Sequence, residues 1–262
     1  MEQEQSFISH LTELRDRLLR VILVVLLTFL ALSVYANEIY AFLAGPLLKH
    51  MPANSSMIAI EVASPFLVPF KLAFIVAIFI TMPFSLYQFW AFVAPGLYAH
   101  EKRLILPLLV ASILLFYLGM VFAYILVFPL VFGFLTATAP PGVTVMTDIG
   151  QYLNFVLTLL FAFGVSFQVP IVTLVLVAIG AVTPNRLAEM RPYVIVAAFI
   201  IGMVLTPPDV ASQTLLAIPM WFLFELGLLL ARIFLGRRIR RASVDATITD
   251  TKAGYITDNK KH

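Results

Sequence analysis

Few side chains in this sequence are suited to chemistry, and they gather in three places. Near the N-terminus His10, Glu13 and Arg17 recur at helical spacing. Glu13 stands four residues before Arg17, the favourable order for a helix ion pair. On a solvated face such a pair contributes only a few tenths of a kcal/mol, on the order of 0.3. Further on, Glu101 lies beside Lys102 and Arg103 at the end of an aromatic-rich stretch that starts at Gln88. Pro95-Gly96 within it is a turn signal, and on spacing alone Glu101 reads as a solvated charge. The third group comprises polar residues inside apolar runs: Lys71, Gln168 and Glu225. A carboxylate at bilayer depth is costly, so Glu225 calls for a partner, a proton or water. Gln168 has the groups to hydrogen-bond a neighbouring helix.

None of these makes a catalytic set. The sequence has no nucleophile elbow, no phosphate-cradling glycine loop and no paired carboxylates beside a histidine. It has no cysteine, which excludes disulfides and thiolate metal sites. His10, His50, His100 and His262 are scattered, with no metal-ligand spacing between them. No enzyme activity, metal or cofactor is expected. The basic C-terminal tail is short, so nucleic acid is not an expected partner either.

The elements that carry these residues follow from composition. Of the 262 residues 61% are hydrophobic and 12% charged, about half the charge of a soluble domain, where it is roughly 25%. Lipid is the expected solvent. Six apolar segments are long enough, or nearly so, to span: about 18–35, 66–93, 104–134, 152–179, 193–205 and 215–235. The fifth spans only about 20 Å at 1.5 Å per residue, less than the roughly 30 Å hydrocarbon core. The N-terminal segment is too polar and acidic for a secretory signal, so the first apolar run is expected to stay as a span. A cytoplasmic helix is expected at about 6–17. Residues 1–236 read as one membrane domain and 237–262 as a disordered polar tail. Pro69, Pro83, Pro107, Pro129, Pro170, Pro192 and Pro219 lie in or at the ends of spans, which favours bent helices around a concavity.

Orientation follows from the basic residues. Fifteen of the 17 lysines and arginines fall before or at the start of span one, in loops 2–3 and 4–5, or from the end of span six onward. Only Lys49 and Lys71 belong to the other side. By the positive-inside rule both termini are cytoplasmic. The loops at 37–65, 136–150 and 206–209 then face out.

Several motifs, in order, carry a resemblance. These are His10-Leu11-Thr12-Glu13-Leu14-Arg15-Asp16-Arg17, Ser64-Pro65-Phe66, the stretch from Phe92 to Arg103, and Phe163-Gly164-Val165-Ser166-Phe167. Arg191-Pro192-Tyr193 and Leu205-Thr206-Pro207-Pro208-Asp209 complete the set. Over residues 6–236 the sequence resembles the TatC family, the receptor subunit of the twin-arginine protein translocase. The resemblance implies an all-α fold of six transmembrane helices, kinked around a concave face, in the cytoplasmic (inner) membrane. It implies binding of twin-arginine signal peptides of folded cargo at the cytoplasmic face. Export would draw on the proton motive force, with TatA- and TatB-type single-span subunits as partners and several copies of the chain in one receptor complex.

Residue by residue, the resemblance makes Glu13 and Glu101 the carboxylates that meet the signal's two arginines, a contact suited to charge-assisted, bidentate bonds. Arg17, Phe92, Pro95, Leu97 and Arg103 match the surrounding recognition surface. Met203, Thr206 and Gln213 match positions where partner helices dock. Pro46, Ser64, Pro65 and Phe66 match an outside cap. One departure is Gln168, where the family often has a glutamate. A glutamine at that place holds polarity but cannot titrate. The competing reading is a secondary transporter of a small solute, motivated by kinked helices with Gln168 and Glu225 at depth. The paired half-helices and internal repeat it would require are not visible in the sequence.

Overall fold

The computed structural model describes residues 2–41, 57–93, 105–137, 147–205, 210 and 213–233. Helix α1 covers Glu2–Ser33 and is followed by a short α2 at 36–41. Helix α3 is Ser64–Val93. The third span is α4 (Ile105–Phe122), a π turn (Ala123–Val127) and α5 (Phe128–Ala137). The fourth is α6 (Ile149–Ser166) and α7 (Val169–Ala178). A short α8 (Pro184–Glu189) leads to α9 (Arg191–Leu205), and α10 (Gln213–Ile233) closes the described chain. The fold is the expected all-α, six-span architecture. The expected tail at 237–262 lies outside the described residues.

Four of these segments are long and apolar enough to cross a bilayer: Ser64–Val93, Ile105–Val131, Ile149–Ala178 and Gln213–Ile233. The remaining two spans are short for physical reasons. The apolar half of α1 begins only after Arg17 and still carries Arg20. The 15 residues of α9 reach about 22 Å. The polar segment at 6–17 is not separate from the first span, because one unbroken helix carries both.

Side-chain contacts fix the alternation of the spans. Arg17 of α1 meets Gln88 near the end of α3, while Phe29 meets Phe74 near its start. Trp90 at the end of α3 meets Ser112 early in α4. Phe128 then meets Tyr152 at the start of α6, and Arg191 at the start of α9 meets Glu225 late in α10. Successive spans therefore run in opposite directions. Glu13, Gln88, Ser112, Gln168, Arg191 and Glu225 fall toward one end, and Ser64, Lys71, Asp148 and Gln213 toward the other.

The prolines act more selectively than their number suggests. Pro107, Pro170 and Pro192 sit in the first turn of a helical segment, where the missing N–H would lack a partner anyway, whereas Pro129 follows the π turn within a continuous helix. Two of them accompany breaks. Ahead of Pro129 the ladder widens, with the Phe128 N–H bonding the Ala123 carbonyl in the π turn. Ahead of Pro170 the fourth span breaks at Phe167 and Gln168. Pro69 and Pro83 lie inside α3, which continues through both.

The main core joins α3, α4 and α6. Phe116 and Phe163 are fully buried at its centre. They cross because each faces a glycine. A Cβ on Gly164 would stand 2.7 Å from the Phe116 ring, and one on Gly119 would stand 2.6 Å from the Phe163 carbonyl oxygen. Small residues at such crossings are how membrane helices approach closely enough for dispersion to hold them.

One small departure from an all-helical chain lies at the end remote from Glu13. Met57 and Ile58 pair in parallel with Thr147 and Asp148, tying the segment before α3 to the one before α6. Asp148 completes the tie. Its carboxylate caps α6 by accepting the Gln151 N–H and also accepts the Ile60 N–H, both at 2.9 Å.

Candidate functional site

The N-terminal residues singled out from spacing form a connected cluster. Arg17 donates from Nε (2.9 Å) and Nη2 (2.6 Å), and both bonds go to one oxygen, Oε1 of Glu13. Its Nη1 donates to the Gln88 side-chain oxygen at 3.2 Å. Gln88 is buried, so α3 holds the guanidinium, and the guanidinium holds Glu13. His10 stacks on Phe92 with ring centroids 4.3 Å apart, a second tie between the two helices. About two turns of α1 are thereby fastened to the last two turns of α3.

This leaves Glu13 asymmetric. Oε1 is filled by Arg17. Among the described residues Oε2 accepts no hydrogen bond and only faces His10 Nδ1 at 3.9 Å. The Glu13 side chain is 37% exposed. A carboxylate oxygen offers about two acceptor sites, so a held, accessible acceptor is directed outward.

Toward the same end Ser112 joins three spans. The Trp90 indole N–H donates to Ser112 Oγ at 3.0 Å, and the Gln168 amide donates to the Ser112 carbonyl oxygen at 2.9 Å. Gln168 thus spends its polarity as a brace at the break in the fourth span. Glu225 has the partner that bilayer depth calls for. Arg191 grips it with Nε to Oε1 at 2.5 Å and Nη2 to Oε2 at 2.9 Å, a fork-on-fork geometry. This bond ties the start of the short α9 to α10.

At the opposite end Met203 is exposed near the end of α9, and Gln213 is half-buried at the start of α10. Gly202 brings the two helices together, since a Cβ there would lie 3.4 Å from the Gln213 carbonyl oxygen. Ser64, Pro65 and Phe66 form the first turn of α3, Ser64 buried and Phe66 exposed. Glu101, Pro95, Leu97, Arg103, Thr206 and Pro46 lie outside the described residues. Among the described residues no group of three potential ligands could hold a metal ion.

Sequence reasoning missed the ties that span distance. Gln88 and Phe92 are four apart, on one face of α3, a spacing that signals a shared partner. Asp148 three residues before Gln151 resembles a capping pattern. Nothing local pointed to Arg191 for Glu225, 34 residues away.

Comparison with known proteins agrees with this arrangement. The family profile described as Sec-independent protein translocase protein (TatC) matches residues 9–219. A protein of that name from Azotobacter chroococcum mcd 1 is 56% identical over 239 residues, covering 91% of this chain and 92% of the relative. The one from Escherichia coli (strain K12) is 55% identical, covering 90% and 92%. The solved structure titled "Crystal Structure of Twin Arginine Translocase Receptor- TatC" superposes with a TM-score of 0.77. It is 41% identical and covers 86% of this chain and 98% of that one. With the profile, the relatives and the fold in agreement, this chain is a membrane protein that belongs to the TatC family.

Proposed function

We propose that this chain is the receptor for twin-arginine signal peptides in a Sec-independent protein translocase. It binds the signal at the cytoplasmic face and serves as the core of the machinery that exports folded cargo on the proton motive force. The observation that carries this reading is the half-satisfied Glu13. Arg17, itself bonded to Gln88, holds its carboxylate, and among the described residues Oε2 accepts no hydrogen bond, which leaves it for a guanidinium. Glu101 supplies the second acid, and Phe92, Pro95, Leu97 and Arg103 pack the residues that flank the arginine pair. The chain then acts by binding and not by catalysis.

Orientation with both termini in the cytoplasm is part of the same proposal, supported by the distribution of basic residues. Partner subunits of the TatA and TatB type dock on the outer halves of α9 and α10, at Met203, Thr206 and Gln213. The exposed stripe Tyr193, Val196, Ile200, Met203 and Val204 on α9 supports this, because it repeats at helical spacing and faces away from the bundle. Further copies of the chain join in the receptor complex.

The test compares peptides. A twin-arginine signal peptide should bind the purified protein at least about tenfold more tightly than its twin-lysine counterpart, since lysine offers no planar fork. Equal affinities would contradict the assignment. Saturable uptake of a small solute by the protein in liposomes would favour a transporter instead.

A further inference from the structure

At the end remote from Glu13, α1, α3 and α6 enclose an open cavity of about 450 Å³, lined by Phe29, Glu61, Ser64, Lys71, Phe74 and Asn154 among others. Three observations converge there. Lys71 is seven residues past Ser64, about 10 Å along α3 from its start, and lies within an otherwise apolar helix. Among the described residues it has no ion pair, although Glu61 lines the same cavity. Ser64 is only 5% exposed, and among the described residues its hydroxyl makes no hydrogen bond. A buried hydroxyl without a partner is costly. An ammonium in the apolar zone without a counter-charge is costlier still.

We propose that this cavity binds the headgroup of a phospholipid from the outer leaflet. The phosphate oxygens accept from the Lys71 ammonium and the Ser64 hydroxyl, and the Asn154 amide has further donors to offer. The walls of Phe29 and Phe74 suit the glycerol and the first acyl methylenes. The tails continue over the exposed outward residues of α1, such as Leu26 and Leu30. Glu61 gives the site its selectivity. A cation and an anion lining one cavity without meeting each other are both answered by a zwitterionic headgroup. Phosphoethanolamine places phosphate at Lys71 and its ammonium at Glu61. A phosphoglycerol headgroup satisfies only the first.

Native mass spectrometry of the delipidated full chain tests this, with dioleoyl phosphatidylethanolamine and dioleoyl phosphatidylglycerol as probes. One phosphatidylethanolamine per chain should bind in preference to phosphatidylglycerol. Lys71→Gln should lower occupancy about tenfold or more, the loss of one charge-assisted contact, and Lys71→Arg should restore most of it. Glu61→Gln should keep the lipid but erase the preference between headgroups. Thermal unfolding monitored by circular dichroism separates these effects from loss of fold. Unchanged occupancy in a folded Lys71→Gln protein would overturn the site. Inorganic phosphate that displaced the lipid stoichiometrically would make it a small-anion site. An unchanged preference in Glu61→Gln would overturn the zwitterion assignment.

Discussion

Glu13 shows how far one side chain's environment decides its use. On spacing alone its pairing with Arg17 was an ordinary solvated contact, and the i, i+4 bond is indeed present. The spacing could not show that Arg17 also reaches Gln88 on another helix, because that contact depends on tertiary packing. Held in this way, Arg17 is a positioning residue. Arg17→Gln should weaken twin-arginine peptide binding about ten- to hundredfold with helicity retained, as expected when a charge-assisted bond worth roughly 1.5–3 kcal/mol is lost. Isothermal titration with circular dichroism checks both. Asp148 is a second single-residue case. The Ile60 and Gln151 amide groups that bond to it hold its carboxyl below the usual carboxylate range. A depressed folded-state value means that the tie is fully present above the unfolded value, near 3.8, and lost as pH falls through the folded one. Protection of the Ile60 amide, its hydrogen-exchange rate taken relative to the intrinsic rate at the same pH, should therefore be high at neutral pH and fall in acid. In Asp148→Asn protection should be lower at neutral pH and lack that acid dependence.

Among the elements, existence was legible and interruption was not. Six apolar runs became six helical spans because lipid leaves an apolar segment little alternative to a helix. The break at Phe167 and Gln168 is set within an apolar run, so composition passes over it; Pro170, two residues later, was its only local mark. The motif Phe163-Gly164-Val165-Ser166-Phe167 has a packing explanation, since Phe116 occupies the space a larger residue at 164 would need. Gly164→Val should overpack this crossing and destabilise the protein by about 1–3 kcal/mol, measured as a lower unfolding midpoint in detergent. Arg191 and Glu225 make the corresponding case for charge. Glu225→Ala strands Arg191 and should lower the midpoint, while combining Arg191→Glu with Glu225→Arg should recover part of the loss. If the double variant is no better than the worse single one, the ion pair does not anchor α9.

For the whole molecule, the two ends do different work. One holds Glu13 and the polar braces, with Arg17, Ser112 and the Arg191–Glu225 pair linking neighbouring spans. The other holds the strand pair, the Asp148 tie and the cavity around Lys71. Charge counting along the sequence assigns the loops to two sides, because a positive-inside bias is a one-dimensional signal. What lies within each end needed coordinates. The central claim is that Glu13 and Glu101 together receive the two arginines of a signal. The most direct measurement is crosslinking of a photoreactive twin-arginine signal peptide to the membrane-embedded protein, compared with the folded double variant Glu13→Ala and Glu101→Ala. The account predicts strong crosslinking to the wild type and loss of about nine-tenths or more in the double variant, as removal of two charge-assisted contacts requires. Undiminished crosslinking in that variant would contradict it.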